Sequence, residues 1–427
     1  MRKVTGNTDT GAKGFSPTDY IKITIFGFAL SALWSSLHTI IIQVRLLDFV
    51  AESQKNTCLG LLTGSGLILA MAIQPIAGAI SDRSGFGWGR RRPYILMGTI
   101  LAMLLLPGIG FCGSYLTLFI TYCLLQVSCN TAQGPYQAFI PDLVPEGKWG
   151  LASGVKTLFE LAGGITLLRL MGPFMDNYTT GQGVSWLWLS LGVLAIVLLG
   201  TMLATILIIK ERPGAGGFQF SLLPTLYKSF KIDVKTNRAF IWFLVSRLLI
   251  LIAFSTLQKF ALYFLRDVVG ITSPAAVTAD LLIVVGGCML AAVYPAGRLS
   301  DKAGRKLIIV SSGLVSALGT ILLFFSHSYG TIMLCGALLG LSFGAFMSTN
   351  WALAMDLLAK GEEARYLGLT NLATAGGSAL TLFIIGPMID FFNAYGPGLG
   401  YKVMFLVCFT CLVVGSLLVL KIKGRLS

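Results

Sequence analysis

Runs of about twenty apolar residues recur along the whole chain, broken by short polar stretches, and each run is long enough to cross a bilayer as a helix. Twelve stand out, over residues 21–46, 57–81, 93–112, 115–140, 151–174, 184–209, 239–265, 275–298, 307–326, 331–355, 366–388 and 401–421. A membrane barrel would show short alternating segments instead. The pattern predicts an all-α integral membrane protein of twelve transmembrane helices. The longest polar break, 210–238, opens with "ERPGAGG", whose Gly and Pro forbid a continuous helix. It divides the chain into a polar N-terminal segment 1–20, a six-helix half 21–209, the linker 210–238, a second half 239–421 and a tail 422–427.

The halves repeat. "PDLVPEGKWGLASG" (Pro141–Gly154) matches "MDLLAKGEEARYLG" (Met355–Gly368), and "GPFMD" (Gly172–Asp176) matches "GPMID" (Gly386–Asp390), both at an offset of 214 residues. "GAISDRSGFGWGRRR" (Gly78–Arg92) after the second span answers "GRLSDKAGRK" (Gly297–Lys306) after the eighth. One shared offset argues for duplication into parallel halves.

Composition agrees. The chain is 55% hydrophobic and 12% charged, with mean hydropathy +0.80, whereas soluble proteins carry about a quarter charged residues. The net charge of +14 does not point to nucleic acid, because Lys and Arg cluster in alternate short loops. That asymmetry places both termini in the cytoplasm. The eight cysteines lie in or beside apolar runs without paired spacing, which reads as small hydrophobes. With two histidines and no Cys–His spacing, no metal site or cofactor is expected. No nucleophile–base pair suggests an enzyme.

The motif at Gly78, Asp82, Arg83, Gly89, Arg90 and Arg91, with its second copy at Gly297, Asp301, Gly304 and Arg305, resembles the loop motif of the major facilitator superfamily. Asp142 and Asp356 follow spans four and ten at the matching offset. "QPIAGAISDRSGFGWGRRRPYILMG" (Gln74–Gly98) and "NTAQGPYQAFIPDL" (Asn130–Leu143) are similar to the sucrose–proton and glycoside–cation symporter branch. The resemblance implies a two-half transporter of sugars or glycosides, coupled to a proton or sodium ion and working by alternating access. It also implies a gating role for the loop motif, in which Asp82 pairs with an arginine or faces a helix N-terminus of the neighbouring bundle. In that branch an aspartate stands where this chain has Gln126, and an arginine where it has Gln137.

Several intramembrane side chains are candidates for chemistry. Gln126, Asn130, Gln133 and Gln137 recur at i, i+4, i+7 and i+11, one stripe of span four. Such amides suit sugar hydroxyls or serve as glue between helices. The offset positions in span ten are Gly340, Gly344, Met347 and Trp351, so the stripe exists in one half only. Trp351 and Trp34 offer platforms for a sugar ring or plain packing. In span five Lys156 and Glu160 stand one turn apart, and ionisable groups at that depth are functional candidates. Glu160 is expected to carry the coupling proton with Lys156 holding it charged; a permanently closed pair is the alternative. Arg247 and Gln258 share a face of span seven and suit the cavity. His38, in span one with Ser31, Trp34 and Ser35, joins a proton relay or is simply packed.

The sequence therefore predicts a monomeric multi-pass transporter of a bacterial inner membrane, whose partners are a small-molecule cargo and the lipid bilayer. An exporter of amphipathic compounds, faintly echoed by the Gly-Pro pairs at 172–173 and 386–387, and a non-transporting assembly factor or receptor are the other functions considered.

Overall fold

The computed structural model describes residues 16–145, 148–209, 211, 238–357 and 363–422. Nearly all of the 210–238 linker and the residues at both chain ends lie outside that set. Among the described residues every regular element is a helix. The first half holds α1 (Pro17–Ser36, continued through a π turn at Leu37–Ile41 into Ile42–Leu46), α2 (Lys55–Asp82) and α3 (Arg92–Phe111). α4 (Tyr115–Gln137), α5 (Trp149–Thr179) and α6 (Ser185–Ile208) complete it. The second half holds α7 (Arg238–Phe264), α8 (Pro274–Ala303), α9 (Arg305–Phe324) and α10 (Tyr329–Asp356). α11 (Glu363–Leu380, a π turn at Thr381–Ile385, then Gly386–Asn393) and α12 (Leu399–Leu418) close the chain.

Eleven of these helices are apolar and long enough to span a bilayer; α4 has the length but not the apolarity. The amides at its middle are held inside the protein. Gln126 and Asn130 are each 3% exposed. The duplication is visible in the helix starts. Ser114 accepts from the Thr117 amide at the head of α4, and Ser328 accepts from the Thr331 amide at the head of α10. Both side chains satisfy an amide that the helix itself leaves open.

Helices α5 and α11 run past their apolar stretches, to Thr179 and Asn393. Hydropathy stops short because each extension carries a buried aspartate whose partner lies in the other half. Asp176 accepts from the Ala275 and Ala276 amides at 3.0 and 2.8 Å, which are among the first of α8. Asp390 accepts from the Asn56 and Thr57 amides at 3.4 and 2.6 Å, which are among the first of α2, and from Asn56 Nδ2 at 2.8 Å. A carboxylate at a helix N-terminus meets unpaired amides and the positive end of the macrodipole. The "GP–D" repeats are thus two related caps. Their glycines belong to the same device: a Cβ on Gly172 would strike the Ala276 backbone, and one on Gly386 the Asn56 backbone.

Around the caps run further bonds between halves. Lys55 pairs with Asp267 at 2.5 Å and Arg266 with Glu52 at 2.6 Å. Arg169 of α5 pairs with Asp280 of α8 at 2.9 Å. Gln43 of α1 donates to the Lys259 carbonyl of α7 at 3.0 Å, and Tyr263 donates to the Gln43 carbonyl at 2.8 Å. All lie toward one face, remote from the loops at Gly78–Arg92 and Gly297–Lys306.

Arg45 belongs to the scaffold rather than to a loop. It is 8% exposed, and its guanidinium donates to the carbonyls of Ile109, Gly110 and Cys112, at and just past the end of α3, at 2.8–3.2 Å. It also pairs with Asp48 at 2.5 Å and donates to the Tyr178 hydroxyl at 3.1 Å.

Converting Asp390 to Asn, or Asp176 to Asn, replaces a charge-assisted cap by a neutral one. At about 1.5–3 kcal/mol for hydrogen bonds to a charged group, either change is expected to raise the population open at the capped face roughly tenfold or more. Spin-label distances across that face read it out, and an unchanged distribution in both variants excludes the caps as the seal.

Candidate functional site

The loop motif builds one compact cluster in each half. Arg91, 3% exposed, is its centre in the first. It pairs with Asp82, reaches Asp142 at 3.0 Å, and donates to Ser81 Oγ at 2.7 Å and the Gly78 carbonyl at 3.2 Å. Arg90 adds a second contact to Asp142 at 2.6 Å. Arg83 is half-buried beside Asp82. In the second half Arg305 stands 214 residues after Arg91 and repeats the pattern. It pairs with Asp356 at 2.5 Å and Asp301 at 2.8 Å, and donates to Ser300 Oγ at 3.2 Å. Gly89 (φ 130°) and Gly304 (φ 92°) take the positive φ that lets each loop turn back onto its helix. The Gly297 carbonyl accepts from Ser300 at 2.8 Å.

Each of these bonds stays inside its own half. Of the two partners expected for Asp82, the arginine is the one seen. The helix N-terminus of the other half is instead taken by Asp176 and Asp390, on the opposite face. Glu211, first residue of the linker's "ERPGAGG", accepts from the amides of Arg91 and Arg92 at 3.0 and 3.1 Å and so caps α3.

Between the halves lies a cavity of about 290 Å³, close to the lower end of the roughly 300–1,000 Å³ usual for ligand pockets. Its first-half wall is mixed, with Ser31, Ser35 and Thr39 of α1 and Glu160 of α5 set among Leu161, Ile165 and Leu168. Its second-half wall is largely apolar, with Phe254, Phe260 and Phe343 around Gln258. Glu160 and Lys156 stand 3.5 Å apart, and the Lys156 ammonium lies 5.7 Å from the Tyr136 ring centroid. Tyr136 in turn donates to the Thr24 carbonyl and accepts from the Gly27 amide, both at 3.0 Å, which fixes α4 against α1 at this level.

The stripe of α4 divides. His38 Nε2 meets the Tyr122 hydroxyl at 2.6 Å and Gln126 Nε2 at 3.2 Å. Gln126 donates to Tyr122 at 2.7 Å, Asn130 donates to Gln126 Oε1 at 3.0 Å, and Trp34 stacks on His38 with ring centroids 4.9 Å apart. This network sits on the face of α1 adjoining the cavity wall. Gln133 is half-buried and Gln137 exposed, nearer the motif face. The sequence reading did not pick out Tyr122, although it stands one turn before Gln126 and extends the same stripe.

Arg247 is not on the cavity wall. It is 2% exposed, donates to Thr374 at 3.2 Å and to Asn350, and lies 5.9 Å from the Trp351 ring centroid. Trp351 is 39% exposed and likewise off this cavity. At the 214 offset Asn350 answers Tyr136 and Thr374 answers Glu160, so one duplicated position became two different polar clusters. Among the described residues no group of His, Cys, Asp and Glu is placed to hold a metal ion.

Two six-helix halves around a mostly apolar cavity are the architecture of the major facilitator fold. The chain belongs to the MFS/sugar transport protein family, whose model matches residues 25–425. It is 31% identical over 143 residues to the sucrose transport protein SUT1 of Oryza sativa subsp. japonica, a stretch covering 28% of this chain and only a quarter of the rice protein. Over longer spans it is 25% identical to the uncharacterized symporter YnaJ of Bacillus subtilis (87% of this chain, 74% of that one). It is 23% identical to the glucuronide carrier protein homolog of Escherichia coli (73% and 71%). Among solved structures a D-xylose-proton symporter superposes with TM-score 0.72 at 16% identity over 96% of this chain and 99% of that one. A bacterial homolog of the lysosomal transporter Spinster, captured inward-facing, gives 0.67 at 16% identity over 98% and 100%.

Arg91 bonds four neighbours from a buried position, whereas Asp82 is 52% exposed at its side chain. Arg91→Met is therefore expected to cost about 2–4 kcal/mol of stability, and Asp82→Asn less than about 1 kcal/mol. Thermal unfolding of the two variants in detergent gives the ranking; equal effects argue against Arg91 as the centre of the cluster.

Proposed function

We propose that the protein is a cation-coupled symporter of sugars or glycosides, that the cation is a proton, and that transport follows from the two halves rocking about the central cavity. One observation carries the coupling: Glu160 is on the cavity wall, in the membrane interior, with Lys156 as its ion-pair partner. A proton arriving on Glu160 neutralises its carboxylate and frees the Lys156 ammonium, so that the pair's net charge goes from zero to +1. Its departure restores the pair. The closed pair ties two positions of α5 at the cavity wall, and its opening on protonation is the switch that links the proton to movement of the halves. Ser31, Ser35 and Gln258 supply donors and acceptors for hydroxyls on the same wall. Phe254 and Phe343, with ring centroids 3.9 Å apart, offer a flat apolar surface to a sugar ring.

The loop clusters act as hinges that keep α2, α3 and α4 together, and α8, α9 and α10 together, while the halves move. Basic residues are concentrated on the motif face, which supports a cytoplasmic location for that face in a bacterial inner membrane. Symporters among the relatives support the reading.

The aromatic second-half wall favours a second reading, export of amphipathic compounds. Uptake into proteoliposomes under an imposed pH or sodium gradient separates the two. Sugar accumulation driven by the pH gradient supports symport; no sugar uptake under either gradient, with extrusion of a lipophilic substrate, supports export.

Glu160→Gln is expected to abolish gradient-driven accumulation while keeping exchange of labelled cargo within about threefold of the parent protein. Intact accumulation in this variant removes Glu160 from the coupling step.

A further inference from the structure

Protonation of Glu160 leaves an ammonium without its carboxylate in the membrane interior, where a bare cation is costly unless another group takes it. The corner in which Lys156 stands already contains such a group. Its Nζ lies 3.5 Å from Glu160 Oε1, longer than the roughly 2.7–2.9 Å of a tight charge-assisted bond. The same Nζ is 5.7 Å from the centroid of the Tyr136 ring. A cation within about 6 Å of an aromatic ring is attracted by its negative face, more strongly where water is scarce. The ammonium therefore stands between two partners, and protonation of one leaves it the other.

The ring is fixed in place. Tyr136 is 3% exposed, and its hydroxyl donates to the Thr24 carbonyl and accepts from the Gly27 amide, both at 3.0 Å. Phe26 and Phe139 brace it edge-on, with centroids 5.3 and 6.1 Å away. The approach makes a demand on α1: a Cβ on Gly27 would come within 2.5 Å of the Tyr136 hydroxyl and 3.1 Å of Glu160 Cγ. Glycine there lets α4 and α5 bring both side chains to one place. Among the described residues the charges acting at this corner come from the group itself, Lys156 on Glu160 and Glu160 on Tyr136. α1 contributes backbone, and Gln258 across the cavity is neutral. At the offset of 214 residues Gly27, Tyr136, Lys156 and Glu160 answer to Ile241, Asn350, Thr370 and Thr374. A contact that served packing alone would be expected in both halves, as the loop clusters are.

We infer that Tyr136 is a positioning residue for the coupling site: its ring receives the Lys156 ammonium when Glu160 takes up a proton and gives it back when the proton leaves. The inference rests on the reading of Glu160 as the coupling carboxylate. The ring stabilises the loaded state relative to the closed pair, so proton uptake needs less acid than it would beside an aliphatic side chain.

The test follows the carboxyl C=O stretch of Glu160 by infrared titration of the full-length protein in nanodiscs, with Glu160→Gln as the blank; no cargo is needed. Tyr136→Leu removes the ring and is expected to shift the midpoint of this band by about 0.5–1 pH unit toward acid, the size of one cation–π contact. Tyr136→Phe keeps the ring but loses both bonds to α1, and should stay within about 0.3 unit of the parent protein. With Lys156→Gln already in place, Tyr136→Leu should move the midpoint by less than about 0.3 unit. If Tyr136→Leu does not fold, fluorination of the ring in the Tyr136→Phe protein drains charge from the ring face at nearly constant size, and each added fluorine should move the midpoint further toward acid. An unmoved midpoint in Tyr136→Leu or across the fluorinated series overturns the role of the ring and leaves Glu160 as the coupling group. A shift in Tyr136→Phe as large as in Tyr136→Leu, or one that persists without Lys156, does the same. Absence of any Glu160 band titrating over the pH range in which the protein stays folded overturns the coupling reading and this inference with it.

Discussion

A carboxylate placed where water is scarce must have a partner within reach, and Asp176 and Asp390 find theirs in the opposite half of the molecule. The amides they accept are the unpaired first donors of α8 and α2. Neither half alone satisfies both sides of such a contact. The caps need close backbone approach, which explains a glycine one turn earlier in each copy. They also draw in the ends of α5 and α11, around which Lys55, Asp267, Glu52 and Arg266 assemble. Contact at that face sets how the two halves meet around the cavity.

The two halves share an ancestor in their framework and not in their cavity. Helix-start caps, loop clusters and cross-half caps recur at corresponding places. The cavity-level positions do not: Glu160 faces the offset position of Thr374, Tyr136 that of Asn350, and Gln126 that of Gly340. The framework contacts hold the helices of each half together, a task common to both. The proposed binding of an asymmetric ligand and transfer of a cation would have no such symmetry to obey, which would leave each half free to diverge there.

Most of the helical framework was legible in the sequence, because a bilayer-length apolar run has few other solutions. The ends of α5 and α11 were not, since the aspartates that break the apolar pattern are satisfied by a helix distant in sequence. The α4 stripe was legible from its spacing. Its division was not: Gln126 turns inward because His38 and Tyr122 meet it there, and Asn130 donates to Gln126, while Gln137 is exposed nearer the motif face. Arg247 read as a cavity residue from its shared face with Gln258. The helix continues for three turns between them, far enough for Asn350 and Thr374 to enclose one while the cavity exposes the other. Asp82 and Asp176 are both acidic residues of repeated motifs near the end of a long helix. Only the tertiary arrangement reveals which of them reaches across.

The polarity of α4 has a consequence for how the protein is made. A segment with Gln126, Asn130 and Gln133 in its middle is poorly retained by lipid alone, since each buried amide lacks a partner in hydrocarbon. Its partners, His38 and the backbone of α1 and α2, are synthesised earlier. The fourth helix therefore enters the bilayer profitably only against helices already waiting there, and insertion of the first half becomes an ordered, assisted assembly rather than the independent threading of six greasy segments.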